Sequence, residues 1–285
     1  MITQRQIFSA AAVGILLMGS VPAMADLTMG VFPRRAVAQT HKMFKPLAQE
    51  LEKQLGEKVH IKVEKDFKAF WKGVQTGKYD IVHYNQYHYL LSQKKHGYQV
   101  IAVNEEMGSS EISGALSVRK DSGINSVSDL KGKTIMFGGG KKAMGSYIAP
   151  LAILKKHGLE PGKDFKVMFS KNPPSAVIGV YNNAADAAGS GNVILKIKGV
   201  QKKIDTNKMK ILAESDTFTH LPWAVKDSMP SAKWKKIQKT MTSLKGSSNG
   251  KNILKSASVT GFKAASDKDF DGVRKIVKYA INENL

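Results

Sequence analysis

The stretch that decides the fold is K-T-I-M-F-G-G-G-K-K-A-M-G-S-Y, from Lys133 to Tyr147. Its apolar run Ile135–Phe137 predicts a buried strand, which ends in three glycines, and a helix is expected from about Gly145. A glycine-rich turn that leads into a helix leaves backbone N–H groups unpaired at the positive end of the helix dipole. The turn therefore supplies four candidate anion-binding residues, Gly139, Gly140, Lys141 and Lys142. The alternative is a tight turn with two solvated lysines.

The same loop also fits a nucleotide-binding pattern, because Gly138, Gly140 and Ala143 match G-x-G-x-x-A. A dinucleotide site needs an acidic residue at the end of the next strand to hold a ribose hydroxyl. That strand is predicted at Lys166–Phe169, and it is followed by Ser170-Lys171-Asn172, which contains no acid. The anion-binding interpretation is therefore preferred, and no cofactor is expected.

The N-terminus has the pattern of a secretory signal peptide. Arg5 precedes an apolar run from Ile7 to Met18, and Ala23-Met24-Ala25 forms an A-x-A cleavage site, so residues 1–25 are excluded from the fold. The chain contains no cysteine, which excludes disulfides and a lipid anchor attached to a cysteine. We expect a periplasmic protein that is cleaved after Ala25 and carries no lipid anchor.

The charge of the chain is strongly positive, with a formal net charge of +21. Most of this charge comes from lysines, which are spread along predicted helix faces and are not clustered with aromatic residues. Such a surface attracts small anions or anionic headgroups, and it does not have the pattern of a nucleic-acid interface.

Strands and helices alternate along the chain. Leu27–Val31 is predicted as the first strand, and the helix that follows buries Phe44, Leu47 and Leu51 on one face and ends at Gly56. Asp66 is in an N-cap position before the second helix. This alternation is typical of an α/β fold with a mainly parallel sheet.

The loop after the first strand carries two adjacent arginines, Arg34 and Arg35. In open α/β sheets, ligands bind outside the carboxyl ends of the strands, and the planar guanidinium group suits phosphate-like or carboxylate anions. The alternative for each arginine is a surface salt bridge to an acid such as Glu50 or Glu52.

Three further segments contribute candidate ligand-binding residues. The aromatic and polar cluster His83–Tyr89 follows the third strand, a small-residue loop follows the strand predicted at Ala185–Ala188, and a loop is predicted from Thr217 to Trp223. The candidates in these segments are Tyr84, Asn85, Tyr87, Gly191, Asn192 and Trp223. Each has a structural alternative, namely a buried helix face, an ordinary turn or a packed loop.

No catalytic or metal-binding set is recognisable. His83 and His88 are five residues apart, and no carboxylate or cysteine completes a metal set. No Ser-His-Asp set, Cys-His set or pair of carboxylates with acid/base spacing is present either. The sequence therefore predicts a protein that is not an enzyme.

Several segments together resemble the phosphate/phosphite/phosphonate-binding family of ABC importers, in order and spacing, over essentially the whole mature chain. They are Val31-Phe32-Pro33, Phe44–Ala48 with Leu51-Glu52, Asp66–Phe70, Gly77–Ile81, Asp129–Lys133 with Phe137-Gly138, His157–Phe165 and Ala184–Ala187. The resemblance implies a two-lobed type II periplasmic binding fold, in which each lobe is a mixed, mainly parallel sheet flanked by helices and two crossing strands form the hinge. One lobe is expected at residues 26–113 plus 214–285, and the other at 114–213.

The ligand motif of this family is altered. Its phosphonate binders usually carry Ser-Thr-Ser at the start of the first helix of the second lobe, and the corresponding positions here look like Lys142-Ala143-Met144. A histidine that commonly opens the next helix of the cleft looks replaced by Pro174, and a polar group before Pro222 by Leu221. These losses leave room for a bulkier or more apolar ligand between Tyr84, Tyr87 and Trp223.

The resemblance implies a monomeric solute-binding protein that holds a phosphate-, phosphite- or phosphonate-like anion between its lobes and delivers it to an ABC permease in the inner membrane. One alternative is the same fold with an apolar or aromatic solute such as a lipid or sterol. Another is a subunit that presents its ligand to a membrane histidine kinase.

Overall fold

The computed structural model describes residues 26–285, so the predicted signal peptide lies outside the described residues. The strands are β1 Leu27–Val31, β2 Val59–Lys62, β3 Ile81–His83, β4 Tyr98–Glu105, β5 Glu111–Ile112, β6 Gly114–Arg119, β7 Thr134–Gly138, β8 Lys166–Ser170, β9 Ala187–Gly191, β10 Met209–Glu214, β11 Phe218–Thr219, β12 Pro222–Lys226 and β13 Gly261–Ala264. The α-helices are α1 Val37–Leu55, α2 Phe67–Gln75, α3 Gln86–His96, α4 Ala149–Lys156, α5 Pro173–Tyr181, α6 Lys198–Gln201, α7 Ser231–Ser243, α8 Ser248–Ala257 and α9 Asp271–Ile281. A π-helical turn, Met144–Ile148, leads directly into α4.

The first lobe is built on a six-stranded sheet with the order β13-β4-β12-β3-β1-β2. β1 pairs in parallel with β2 and β3, whereas β12 is antiparallel to β3 and β4, and β13 is antiparallel to β4. The sheet is therefore mixed and contains more antiparallel pairs than the alternation of strands and helices predicts. The reason is that strands from the C-terminal part of the chain are inserted beside β3 and β4.

The second lobe is built on a five-stranded sheet with the order β10-β6-β9-β7-β8. β7 lies in the sheet interior, parallel to β8 and β9, while β6 is antiparallel to β9 and β10. Between the two sheets, β5 pairs with β11 as a short antiparallel ribbon. The two chain crossings therefore lie side by side, as the hinge prediction requires, and the two-lobed α/β architecture is confirmed.

Local signals in the sequence set the ends of the first helices. The Asp66 side chain accepts a hydrogen bond from the Ala69 N–H at 2.8 Å and caps α2, as predicted. Gly56 ends α1 with φ 75°, a left-handed conformation that glycine adopts without a steric penalty. The buried face of α1 includes Phe44, Leu47 and Leu51, which is the stripe that the helical periodicity predicts.

One hydrophobic cluster extends through both lobes and includes Leu47 and Phe70 of the first lobe and Leu151 and Leu154 of the second. A second, smaller cluster lies within the second lobe. Helix α9 packs against both α3 and α4, so the C-terminal helix contacts each lobe. The division at residues 113 and 213 stays a prediction, because the sheets follow it while α9 joins the two halves.

Two segments differ from their predicted structure. The strand expected at Ala185–Ala188 lies at Ala187–Gly191, which places Gly191 in the last position of β9. The loop expected from Thr217 to Trp223 contains β11 and β12 instead, and Trp223 lies inside the six-stranded sheet. The apolar residues of β12 follow Pro222, a residue type that is typical of turns, so the local sequence predicts a loop and not a strand.

Candidate functional site

The glycine loop after β7 leads into an irregular helix start. Gly138 packs so closely on α5 that a Cβ atom there would lie 2.2 Å from the Cα atom of Pro173, and Gly139 has φ +90°. At the π-helical turn, the N–H groups of Tyr147 and Ile148 both donate to the Ala143 carbonyl. π-helical turns are frequently found at functional sites.

This helix start presents free donors. Within residues 26–285, the N–H groups of Met144, Gly145 and Ser146 donate to no backbone or side-chain acceptor. They lie at the positive end of the helix formed by the π-helical turn and α4, and both Lys141 and Lys142 are exposed beside them. The structure thus places unpaired N–H donors and two lysines at this helix start, and anion binding there stays a prediction.

The arginine pair follows β1 on the opposite lobe. In the described part of the chain, neither Arg34 nor Arg35 has a carboxylate within 4.0 Å, whereas Arg119 and Arg274 pair with aspartates at 3.1 Å and 2.8 Å. The suggested salt bridges of the pair to Glu50 or Glu52 are thus not formed, which leaves both guanidinium groups available to an anion.

Arg34 is exposed to solvent and lies close to Arg35 and Glu106. Desolvation by the surrounding protein atoms, together with the adjacent Arg35, lowers the pKa of Arg34 to about 10, although Glu106 acts in the opposite direction. Both arginines remain charged at neutral pH. An accessible but partly desolvated guanidinium group binds an anion more strongly than a fully hydrated one.

Glu106 and His220 form a pair at the hinge that the sequence did not reveal. His220 Nε2 is buried and lies 3.7 Å from a Glu106 carboxylate oxygen, while His220 Nδ1 accepts the Leu221 N–H at 2.7 Å. The Nε2 atom therefore carries the proton. Burial raises the pKa of Glu106, but His220, Arg34 and Arg35 outweigh it and lower the pKa to about 2. Glu106 is thus a permanent negative charge near the arginine pair.

Asn85 connects the two lobes. Its Oδ1 atom caps α3 by accepting from the His88 N–H at 2.9 Å and from His88 Nδ1 at 2.8 Å. Its Nδ2 atom donates to the Lys142 carbonyl at 3.1 Å. The carboxyl end of β3 therefore contacts the glycine loop of the second lobe through Asn85.

The end of β9 contributes buried polar atoms without partners. The Asn192 N–H donates to the Ser113 carbonyl at 3.1 Å, but its Oδ1 atom and the Ser190 hydroxyl are buried with no hydrogen-bond partner in the described part of the chain. His83 Nε2 is a third such atom. Buried polar groups without partners are costly and often mark a ligand site.

The three predicted aromatic residues lie in different environments. Tyr87 donates from its hydroxyl to Glu283 at 2.7 Å and lines a cavity of about 490 Å³ that Lys142 also lines. Tyr84 and Trp223 are completely buried. Tyr84 bonds to the Ser92 hydroxyl at 2.6 Å, and Trp223 stacks on His83 and donates to Asn104. These two side chains are in the core and not on a cleft wall, because each ring is held by packing and by its own hydrogen bond.

The structure places Asn85 against the glycine loop, puts Tyr87 and Lys142 on one cavity, and places Arg34 and Arg35 near Glu106. That these residues form one ligand site together with Gly191 and Asn192 at the end of β9 stays a prediction. The sequence offers His220 as a residue that could contact a ligand, with a packed loop as the alternative, but it does not point to Glu106 or Ser190, since nothing local distinguishes them. No group of three or more histidines and acids with metal-binding geometry is found among residues 26–285. No helix in that range combines the length and apolarity needed to span a bilayer.

Two α/β lobes joined by two adjacent chain crossings are the architecture of a type II periplasmic binding protein. The profile of the family described as "ABC transporter, phosphonate, periplasmic substrate-binding protein" matches residues 29–270. The chain therefore belongs to this family, whose members are substrate-binding proteins of ABC transporters and not enzymes.

Known relatives and solved structures agree with this assignment. The chain is 22% identical to the phosphonates-binding periplasmic protein of Escherichia coli over 258 residues, 89% of this chain and 76% of that protein. It is 28% identical to the tetrathionate sensor histidine kinase TtrS of Salmonella typhimurium over 228 residues, 77% of this chain but 37% of the kinase. The fold matches PhnD1 of Prochlorococcus marinus in complex with methylphosphonate, with a TM-score of 0.75 and 20% identity over 88% of this chain and 96% of that one.

Proposed function

We propose that this protein binds a phosphorus oxyanion of the phosphonate, phosphite or phosphate class between its lobes and delivers it to an ABC permease. The observation that carries the proposal is the set of free donors on the two sides of the cleft. In the described part of the chain, Arg34 and Arg35 have no carboxylate within 4.0 Å, and the N–H groups of residues 144–146 have no acceptor. A tetrahedral oxyanion can accept hydrogen bonds from both sides at once.

The charges of the site favour a compact anion. Guanidinium groups offer paired N–H donors to phosphonate oxygens, and the helix start adds donors that need no reorganisation. The Ser-Thr-Ser hydroxyls of related binders are missing, so backbone N–H groups and arginines would supply the binding energy here. The contact between Asn85 and Lys142 would form on closure, which excludes water and strengthens each polar contact.

The test is isothermal titration calorimetry of the protein with methylphosphonate, phosphite and phosphate, in the wild type and in Arg34→Gln, Arg35→Gln. Loss of both guanidinium groups is expected to weaken binding of the preferred anion by about 30-fold or more. Arg119→Gln is the matched control, because Arg119 already pairs with Asp121. Unchanged affinity in the double variant, or no binding of any of the three anions to the wild type, would overturn the proposal.

A second candidate function is presentation of the bound ligand to a membrane histidine kinase. It is supported by the 28% identity to the tetrathionate sensor kinase TtrS, of whose length the chain spans 37%. Affinity capture with the ligand-loaded protein separates the two candidates: retention of a permease supports transport, and retention of a kinase supports sensing.

We also propose how the exported protein is processed and that it is a monomer. The A-x-A site supports cleavage after Ala25, with release of a monomer into the periplasm without a lipid anchor. Intact-mass measurement of the periplasmic protein and light scattering test these points. A mass that includes residues 1–25 or a lipid, or a dimer, would contradict them.

A further inference from the structure

An aromatic strip runs along the first lobe from the arginine pair. We define it as Phe32, Phe67, His88 and Trp71, whose successive ring centroids are 6.0, 5.2 and 5.0 Å apart. At one end, the Arg34 guanidinium lies 4.9 Å above the Phe32 ring. Phe67 is 37% exposed although it is a large apolar side chain. Trp71 is half-buried, whereas Phe32 and His88 are buried, so the accessible apolar surface of the strip consists of Phe67 and Trp71.

The other end of the strip opens into the cavity of about 490 Å³. Trp71, Tyr87 and Leu91 form its apolar wall on the first lobe, and Lys142 reaches it from the second lobe. Ligand pockets for organic molecules have volumes of about 300–1,000 Å³, so this cavity is far larger than a methyl group needs. All its lining residues belong to the first lobe except Lys142, so the cavity lies on the first lobe beside the glycine loop.

The polar groups of this cavity favour an anionic ligand. In the described part of the chain, neither Lys95 nor Lys142 has a carboxylate within 4.0 Å, and both line the cavity. Glu283 is the acidic side chain there, and it already accepts the Tyr87 hydroxyl at 2.7 Å. His88, beneath Trp71, donates from Nδ1 to Asn85. Burial, together with Lys142, lowers the pKa of His88 to about 3, so the ring is neutral and its Nε2 carries a lone pair. A cationic ligand would be repelled by the lysines of this cavity, whereas an anion with an apolar group fits beside Trp71.

We propose that the aromatic strip and this cavity form a second subsite, which receives the organic substituent of the bound anion. The ligand class is then a phosphonate with an aryl or extended apolar substituent, whose charged head lies between the arginine pair and residues 144–146. This inference rests on the proposed function for the charged head. The substituent lies along the strip, with Trp71 as its main contact.

The experiment compares two anions with the same head group. Phenylphosphonate is expected to bind the wild type about tenfold more tightly than methylphosphonate, because its ring buries apolar surface on the strip. Trp71→Ala should remove this preference and leave methylphosphonate affinity unchanged within about twofold. Trp234→Ala is the matched control, since Trp234 is a similarly half-buried tryptophan on helix α7, outside the strip.

A fluorescence measurement covers the case in which Trp71→Ala fails to fold. In Trp234→Phe, the remaining tryptophans are Trp71 and the fully buried Trp223. Phenylphosphonate should shift the emission of this protein, and methylphosphonate should shift it much less.

The outcomes separate the two proposals. If methylphosphonate binds but phenylphosphonate binds no more tightly, or if its preference survives in Trp71→Ala, the second subsite is overturned and the anion site stands. An equal emission shift with both anions also overturns the subsite. If neither anion binds, the proposed function fails and the subsite fails with it.

Discussion

Glu106→Gln should make the protein less stable and at the same time a tighter anion binder. The Glu106 carboxylate has a pKa of about 2 against an ordinary value of 4.5, because His220, Arg34 and Arg35 outweigh the cost of its burial. Its side chain is 28% exposed, so solvent screens the interaction only in part. The lowered pKa corresponds to about 3 kcal/mol in the free energy of unfolding at neutral pH.

The sign of the pH dependence follows from the direction of the pKa change. A carboxyl group whose pKa is lowered on folding stabilises the native state above its unfolded pKa, and this contribution is lost as the pH falls towards the folded value. Wild type and Glu106→Gln should therefore differ by about 3 kcal/mol at pH 7 and by about 1.4 kcal/mol at pH 3. The substituted side chain is uncharged at every pH. The difference in unfolding free energy between the two proteins therefore reports the Glu106 carboxylate and not the other carboxylates.

The assay is urea unfolding, followed by tryptophan fluorescence at pH 7 and pH 3 and at constant ionic strength. Calorimetry with methylphosphonate at pH 7 should show about fivefold tighter binding in the variant, because a negative charge near the arginines is gone. A stability difference that is the same at both pH values, or weaker anion binding in Glu106→Gln, would refute the reasoning.

Three further substitutions test parts of the architecture. In urea titrations, Gly138→Ala should lower the free energy of unfolding by about 3 kcal/mol, because its Cβ would lie 2.2 Å from Pro173. Gly140→Ala is the control and should change stability little, because there is open space around Gly140. Equal effects of the two substitutions would show that close packing at Gly138 does not determine stability. Asn85→Ser keeps a helix cap but is too short for the hydrogen bond to the second lobe, so calorimetry should show about fivefold weaker anion binding. The free energy of unfolding should fall by about 1 kcal/mol because His88 Nδ1 loses its acceptor, and unaltered affinity would rule out a role of Asn85 in closure. Asp66→Ala should cost about 1 kcal/mol in the free energy of unfolding through loss of the α2 cap, and no loss would mean that another group replaces it.

The sequence predicted the fold well where local signals decide the structure. The apolar stripe of α1, the cap Asp66 and the terminating Gly56 act within one helix, and β7 with its glycine loop has a short, clear pattern. The resemblance to known binding proteins supplied the two lobes and the hinge, which no local pattern contains. β12 was missed, because a strand whose neighbours come from distant parts of the chain shows no hairpin signal.

The candidate site was predictable only in part. Arg34 and Arg35 were recognisable because arginine is rare in this chain and the pair follows a strand. Glu106 and His220 are 114 positions apart, and only the pairing of the hinge strands brings them together. Trp223 looked suitable for a ligand because of its residue type, but its place in the sheet buries it completely.

The most direct test of the binding proposal is a crystal structure of the protein grown with methylphosphonate. We predict that the phosphonate oxygens lie within hydrogen-bond distance of a guanidinium group of Arg34 or Arg35 and of an N–H group of residues 144–146. An oxyanion bound outside the cleft, or one inside it that contacts neither group of donors, would contradict the account.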